Sequence, residues 1–390
     1  MEKVTELRPG RKPFLICVKC NGLVLMAASV LLMFSAEAFG QSYSFYVASE
    51  SEDQVSLITF DANEAKAAID KVITVGEFPT ETEGPHGLGV DPSGDYWYVS
   101  MGHGMPYGHL YKYETGTDRL ITRTELGMFP ASLDVSEQTG WVYVVNFNLH
   151  GDHVPSSLSV VDGESMAEIE RIETGIMPHG SRLSPDGTRQ YHTSMMTDEL
   201  FEMDAFGLAV NRVLNLNGEE QRNHASAAME MDHSGHPMMS EPVVKPTWAS
   251  PSPNRPEVYV AGNGNDRIYV VNTDSWAVER VLESPGRGPY NLEPTPDGKK
   301  LVVSYKGEGA TGIWDIETGE QLAKIKNSRM VTHGVVISPD NRYAFISVEG
   351  IGGEPGSVDI IDLETHELVD VVEVGKQAGG IAFWKLETNN

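Results

Sequence analysis

Over residues 43–384 apolar positions do not recur at helical spacing. Runs of β-branched and aromatic residues return instead, each closed by a polar turn: Val-Tyr-Val-Val at 142–145, Val-Tyr-Val at 258–260, Ile-Tyr-Val-Val at 268–271 and Val-Asp-Ile-Ile at 358–361. Such side chains suit a pleated surface, and the Pro-Asp-Gly and Pro-Ser-Gly steps between runs favour tight turns. The pattern predicts short strands throughout and no long amphipathic helix.

The strands belong to a repeat. A short apolar strand, a Pro/Asp/Gly turn, an aromatic-rich strand ending in Tyr-Val, a polar loop and a strand ending in Asp follow one another. The first limbs begin at Pro85, Pro130, Pro178, Pro246, Pro289 and Thr332, and a last copy begins at Gly379. Their spacing is about 42 to 48 residues except for one interval of about 68, which fits a four-stranded propeller blade with one insertion. Residues 43–48 match the second strand of a blade without its first, and residues 380–384 match a first strand without the rest. Joining the ends makes a complete blade and removes open sheet edges. The expected fold is therefore all-β, a seven-bladed β-propeller closed by pairing of the N- and C-terminal strands in one blade.

Residues 1–38 read as a removable address, and residues 39–390 as the propeller. Arg8, Arg11, Lys12 and Lys19 precede an apolar run at 22–34, and Ala36-Glu37-Ala38 supplies a small-x-small cleavage pattern. The run is shorter than the roughly 20 residues that span a bilayer. Export to the periplasm or the extracellular space is expected, with no stable membrane span after cleavage. Cys17 and Cys20 would leave with this segment, so the remaining chain would rely on its core rather than on disulfides or thiolate ligands. The whole chain holds 56 Asp+Glu against 29 Lys+Arg, a net charge of -27. Cleavage removes three of the former and five of the latter, giving 24 minus 53, or -29. So acidic a chain, with no basic patch, is not expected to bind nucleic acid.

Tyr46-Val-Ala-Ser, Tyr98-Val-Ser, Tyr143-Val-Val-Asn146 and Tyr259-Val-Ala-Gly stand where the YVTN β-propeller family has Tyr-Val-Thr-Asn, and the chain resembles that family over nearly all of residues 39–390. The resemblance implies an exported seven-bladed propeller. A more distant similarity to the propeller domains of nitrous oxide reductase and the cytochrome nitrite reductases implies histidines gathered on one face. This sequence carries no CxxCH for haem attachment.

Matched positions then point to chemistry. His86, His179 and His333 occupy the same step of their repeats, just before the first strand, in the second, fourth and seventh blades. Separations of two, three and two blades correspond to about 103°, 154° and 103° around the axis, near the trigonal arrangement of a three-imidazole metal site. A scaffold role, with each imidazole bonded to a neighbouring carbonyl, is the competing reading. His103 and His109 are expected in the second blade's loop after strand two, and His150 and His153 in the third's. The long interval, about 218–245, adds His224, His233, His236, Met229, Met231, Met238 and Met239 on the same face. A disordered tether, with Gly, Ser, Pro and charged residues mixed in, is the competing reading of this insertion. Imidazole with thioether favours copper, ahead of zinc or calcium.

Two functions follow: a monomeric binding module holding a metal ion, a peptide or a protein on this face, or a copper-dependent oxidoreductase using the three-histidine site. The first is preferred, because fold alone gives no chemistry.

Overall fold

The computed structural model describes residues 40–78, 80–103, 107–218, 242–283 and 286–389. The chain divides into Met1–Ala38 and Phe39–Asn390, and every described residue belongs to the second unit. The expected leader, with Cys17 and Cys20, lies outside the described residues, as do His224, His233, His236 and Met229, Met231, Met238 and Met239 of the insertion.

Seven four-stranded antiparallel sheets make up the described fold. One 3₁₀ turn at Glu50–Glu52 is the helical element among the described residues. Blade 1 is formed by Ala378–Asn389, Gly40–Ser49, Gln54–Asp61 and Lys66–Thr74, in that order across the sheet. Its closure is the one expected: Phe45 pairs with Phe383, Tyr46 with Ala382 and Val47 with Ile381. The other blades begin with the first strands Pro85–Val90, Pro130–Val135, Pro178–Leu183, Pro246–Pro251, Pro289–Pro294 and Thr332–Ile337.

The repeating tyrosine explains how neighbouring blades hold together. It sits buried on the second strand, and in three successive blades its hydroxyl reaches the next one. Tyr46 donates to Asp118 over 3.0 Å, Tyr98 to the Gly163 carbonyl over 3.4 Å and Tyr143 to the Ala205 carbonyl over 2.6 Å. Packing supplies more. Trp97 is fully buried, stacked between Tyr46 at 5.0 Å and Tyr113 at 4.2 Å between centroids. Burying a ring of that size is worth about 5 kcal/mol of gross transfer free energy.

Two local features shape the channel face. The residue before each first strand (Gly84, Phe129, Met177, Lys245, Gly288, Val331 and Gln377) has φ between 44° and 66°, which turns the chain from the rim down into the channel. Each first strand then slips register against the second near its start. In blade 2, His86 and Gly87 lie between the pairs Pro85–Met101 and Leu88–Val99, opposite Ser100 alone. A bulge re-aims the side chains it contains. The Ser100 hydroxyl accepts from Gly87 N–H at 2.8 Å and donates to the Ala131 carbonyl of the next blade at 2.6 Å. Ser304 and Ser347 repeat this in blades 6 and 7.

Candidate functional site

The bulges build a ring at the channel mouth: Gly379, His86, Ala131, His179, Thr247, Tyr290 and His333, one residue per blade. The three histidines therefore lie inside their first strands rather than just before them. The expected convergence is present in part. The ring of His86 lies 5.8 Å from that of His333 and 6.4 Å from that of His179, centroid to centroid. Tyr290 packs 5.3 Å from His179 and 4.7 Å from His333.

Hydrogen bonds fix how these rings are held. Nδ1–H of His179 donates to the Thr247 carbonyl at 2.6 Å, so in the neutral ring Nε2 keeps its lone pair and accepts from the Tyr290 hydroxyl at 3.1 Å. Burial pushes His179 down to about 3, with His86 adding to the effect, and burial pushes Tyr290 up. Both are neutral near pH 7. Nδ1 of His86 lies 3.0 Å from a Glu50 oxygen. His333 is buried and held well below its usual range, first by desolvation, then by Lys306 and the other two histidines. Its Nε2 lies 3.7 Å from Glu349, and its Nδ1 is buried without a partner.

A second ring comes from the first residue after each second strand, and it supplies the charges: Glu50 in blade 1, Lys306 in blade 6 and Glu349 in blade 7. Lys306 pairs with Glu349 at 2.8 Å and sits 4.1 Å over the Tyr290 ring. Burial opposes the charge on Lys306, but Tyr290 and Glu349 outweigh it and raise its pKa. Burial likewise pushes the Glu50 carboxyl up, yet the histidines bonded to it more than offset this and hold it far below the carboxylate range. Glu50, Lys306 and Glu349 were not singled out by the sequence; their shared repeat position was the signal that could have found them.

His103 and His150 stand in the expected loops. Nε2–H of His103 donates to Glu50 at 2.7 Å, a bond that raises the His103 pKa. Once protonated, His103 also donates from Nδ1 to Nε2 of His150, 3.2 Å away. Glu50 therefore links the loop histidines to His86. His153 remains in its loop, but His109 is the first residue of a third strand, His109–Glu114, because the blade 2 loop is shorter than expected.

As the side chains stand, no three His, Asp or Glu residues among those described are arranged to hold an ion. Tyr290 caps the free nitrogen of His179. Below the ring, Arg182 and Glu293 form a half-buried ion pair across the channel, with Nε to Oε1 at 2.7 Å. Glu293 thus faces the channel.

No protein-family model matches the chain, and no curated relative does. Solved structures resemble it in fold. A protein of Lactobacillus plantarum superposes with a TM-score of 0.67 at 14% identity, over 88% of this chain and 100% of its own. A functionally unknown protein of Desulfotomaculum acetoxidans DSM 771 gives 0.63 at 14%, over 87% and 98%. Hydrazine synthase of Kuenenia stuttgartiensis gives 0.59 at 19%, over 78% and 91%.

Proposed function

We propose that the protein is an exported binding propeller that captures a transition-metal ion, copper first, on His86, His179 and His333. The observation that carries this reading is the way two of the rings are tethered. His86 engages a carboxylate through Nδ1 and His179 engages a backbone carbonyl through Nδ1. Metal-binding histidines are held in this way, with the opposite nitrogen turned to the ion. Three imidazoles bound at about 2.0–2.1 Å in a tetrahedral set bring their centroids to about 5.3 Å. The 5.8 and 6.4 Å spacings around His86 lie near that value, while Tyr290 packs against both His179 and His333 and has to withdraw for the three rings to meet. Copper fits the ligand set and the acidic surface would concentrate cations. Glu50 positions His86 through Nδ1 and holds Nε2 of His103 with its other oxygen, leaving His103 and His150 beside the site as additional groups.

The test is titration of copper and zinc into wild type and a His86→Ala/His179→Ala/His333→Ala variant. Stoichiometric copper binding lost in the variant supports the site. Equal binding in both proteins removes it.

A further inference from the structure

At the histidine ring the channel holds a chamber of about 410 Å3 of space between atoms, which runs on into solvent. It has room for about two to three water-sized groups. The ring histidines themselves form one wall, Leu88, Leu133 and Ile381 an apolar side under blades 1 to 3, and Trp248 and Asn291 the side under blades 5 and 6.

Asn291 is the unusual member. It follows Tyr290 in the bulge of blade 6, where the other blades carry Gly380, Gly87, Ser132, Gly180, Trp248 and Gly334. Its backbone is satisfied, with N–H donating to the Ser304 hydroxyl at 3.0 Å. Its side chain is not. The residue is 3% exposed, and Oδ1 is buried with no partner. Nδ1 of His333 is likewise buried without a partner. Buried polar groups without partners are costly, and an apolar residue of similar shape would avoid the cost. Such a group in a cavity wall indicates something that enters the cavity.

The charges around the chamber are already paired, which narrows what that is. Arg182 gives Nε and Nη2 to Glu293 and donates from Nη1 to the Ser181 carbonyl at 2.8 Å. Glu293 also accepts from Trp248 Nε1 at 3.3 Å and from the Ser250 hydroxyl at 2.9 Å. Asp134 accepts from Leu183 N–H at 2.7 Å and Val135 N–H at 3.0 Å. Above, Lys306 holds Glu349, and Glu50 holds two histidines. An anion entering the chamber would lose its hydration and meet no unpaired cation, since Arg182 and Lys306 already hold carboxylates. A neutral molecule would meet an amide, an imidazole nitrogen and an apolar wall.

We propose that this chamber, which shares the histidine ring as a wall, also binds a small uncharged molecule of about three non-hydrogen atoms carrying both hydrogen-bond donor and acceptor, read by the Asn291 amide. A primary amide is the simplest ligand of this class, since it complements an amide side chain in both directions. The assignment does not depend on copper.

Formamide is the probe, and formate, of equal size but charged, is its control. Both are titrated by ligand-observed NMR into metal-free wild type and Asn291→Leu, so failure of the copper reading would leave the result intact. A ligand this small is expected to bind in the millimolar range. The proposal expects saturable formamide binding, formate at least tenfold weaker, and at least tenfold loss in Asn291→Leu. The Tm of that variant should not fall, because an unpartnered polar group has been removed. Formate binding as tightly as formamide, equal formamide binding in Asn291→Leu, or no saturation would overturn it. A fall of several degrees in Tm would also overturn it, by giving the amide a structural role.

Discussion

The Tyr290 hydroxyl donates to Nε2 of His179, the nitrogen that a metal would need. Tyr290 therefore acts as a cap on the candidate ligand. Tyr290→Phe keeps the ring packed between His179 and His333 and removes the cap. Copper affinity measured by calorimetry should rise several-fold in this variant. The lost hydrogen bond should cost about 1 kcal/mol of stability. A fall in affinity would mean that Tyr290 itself serves as a ligand.

Buried neutral histidines give the fold a defined acid response. His192 is fully buried in blade 4, stacked 4.8 Å from Phe201, and burial pushes it down to about 3. Between that value and the ordinary range near 6.5, the unfolded chain binds a proton that the folded chain does not. Stability must then fall as pH drops, by up to about 1.4 kcal/mol per pH unit for such a group. His192→Leu should flatten the fall in denaturant midpoint between about pH 6.5 and 3 without altering copper binding. An unchanged slope would show that His192 is already charged in the fold.

Ring closure leaves no space at the glycine steps of the bulges. A Cβ on Gly380 would lie 2.0 Å from the His86 carbonyl oxygen, and one on Gly87 would lie 2.1 Å from that of Ala131. Both obstacles are backbone of the neighbouring blade, so relief requires the blades to part. Gly380→Ala or Gly87→Ala should each cost at least about 2 kcal/mol in chemical unfolding. Gly116→Ala probes a different cost, since a Cβ there meets nothing within 4 Å and only its φ of +78° penalises the substitution.

The architecture was legible because each blade repeats the same local chemistry, and because Tyr43–Ala48 and Gly380–Trp384 each lacked what the other supplied. The histidine step was legible for the same reason. What the sequence could not display was the bulge, whose signature is a register slip and a preceding left-handed residue as varied as Phe129, Lys245 and Val331. Without it, His86 reads as lying before a strand. The partners of the ring were hidden too. Glu50 and His103 are 53 residues apart and meet only when blades 1 and 2 pack together.

Glu50 is the clearest place to separate positioning from scaffold. Its two oxygens take one histidine each, His86 at 3.0 Å and His103 at 2.7 Å. Glu50→Gln leaves a single acceptor oxygen and places an NH2 against the second ring. The variant should lose about 1–3 kcal/mol near pH 6. The pH dependence carries the sign. Glu50 is depressed, so its contribution is present above the ordinary carboxylate range near 4.3 and is lost as pH falls towards its folded value. His103 is raised, so its contribution is complete below about 6.5 and is lost as pH rises through its folded value. The stability difference between wild type and variant should therefore be greatest between about pH 4.5 and 6.5 and shrink on both sides. Copper affinity should fall about tenfold or more, as when the carboxylate behind a metal-binding histidine is removed. Paired denaturation curves from pH 3 to 9 and copper titration at pH 7 measure both effects. A stability difference independent of pH would mean that His103 is neutral in the fold. Copper affinity unchanged in the variant would detach Glu50 from the site and leave the His86 tether a structural one.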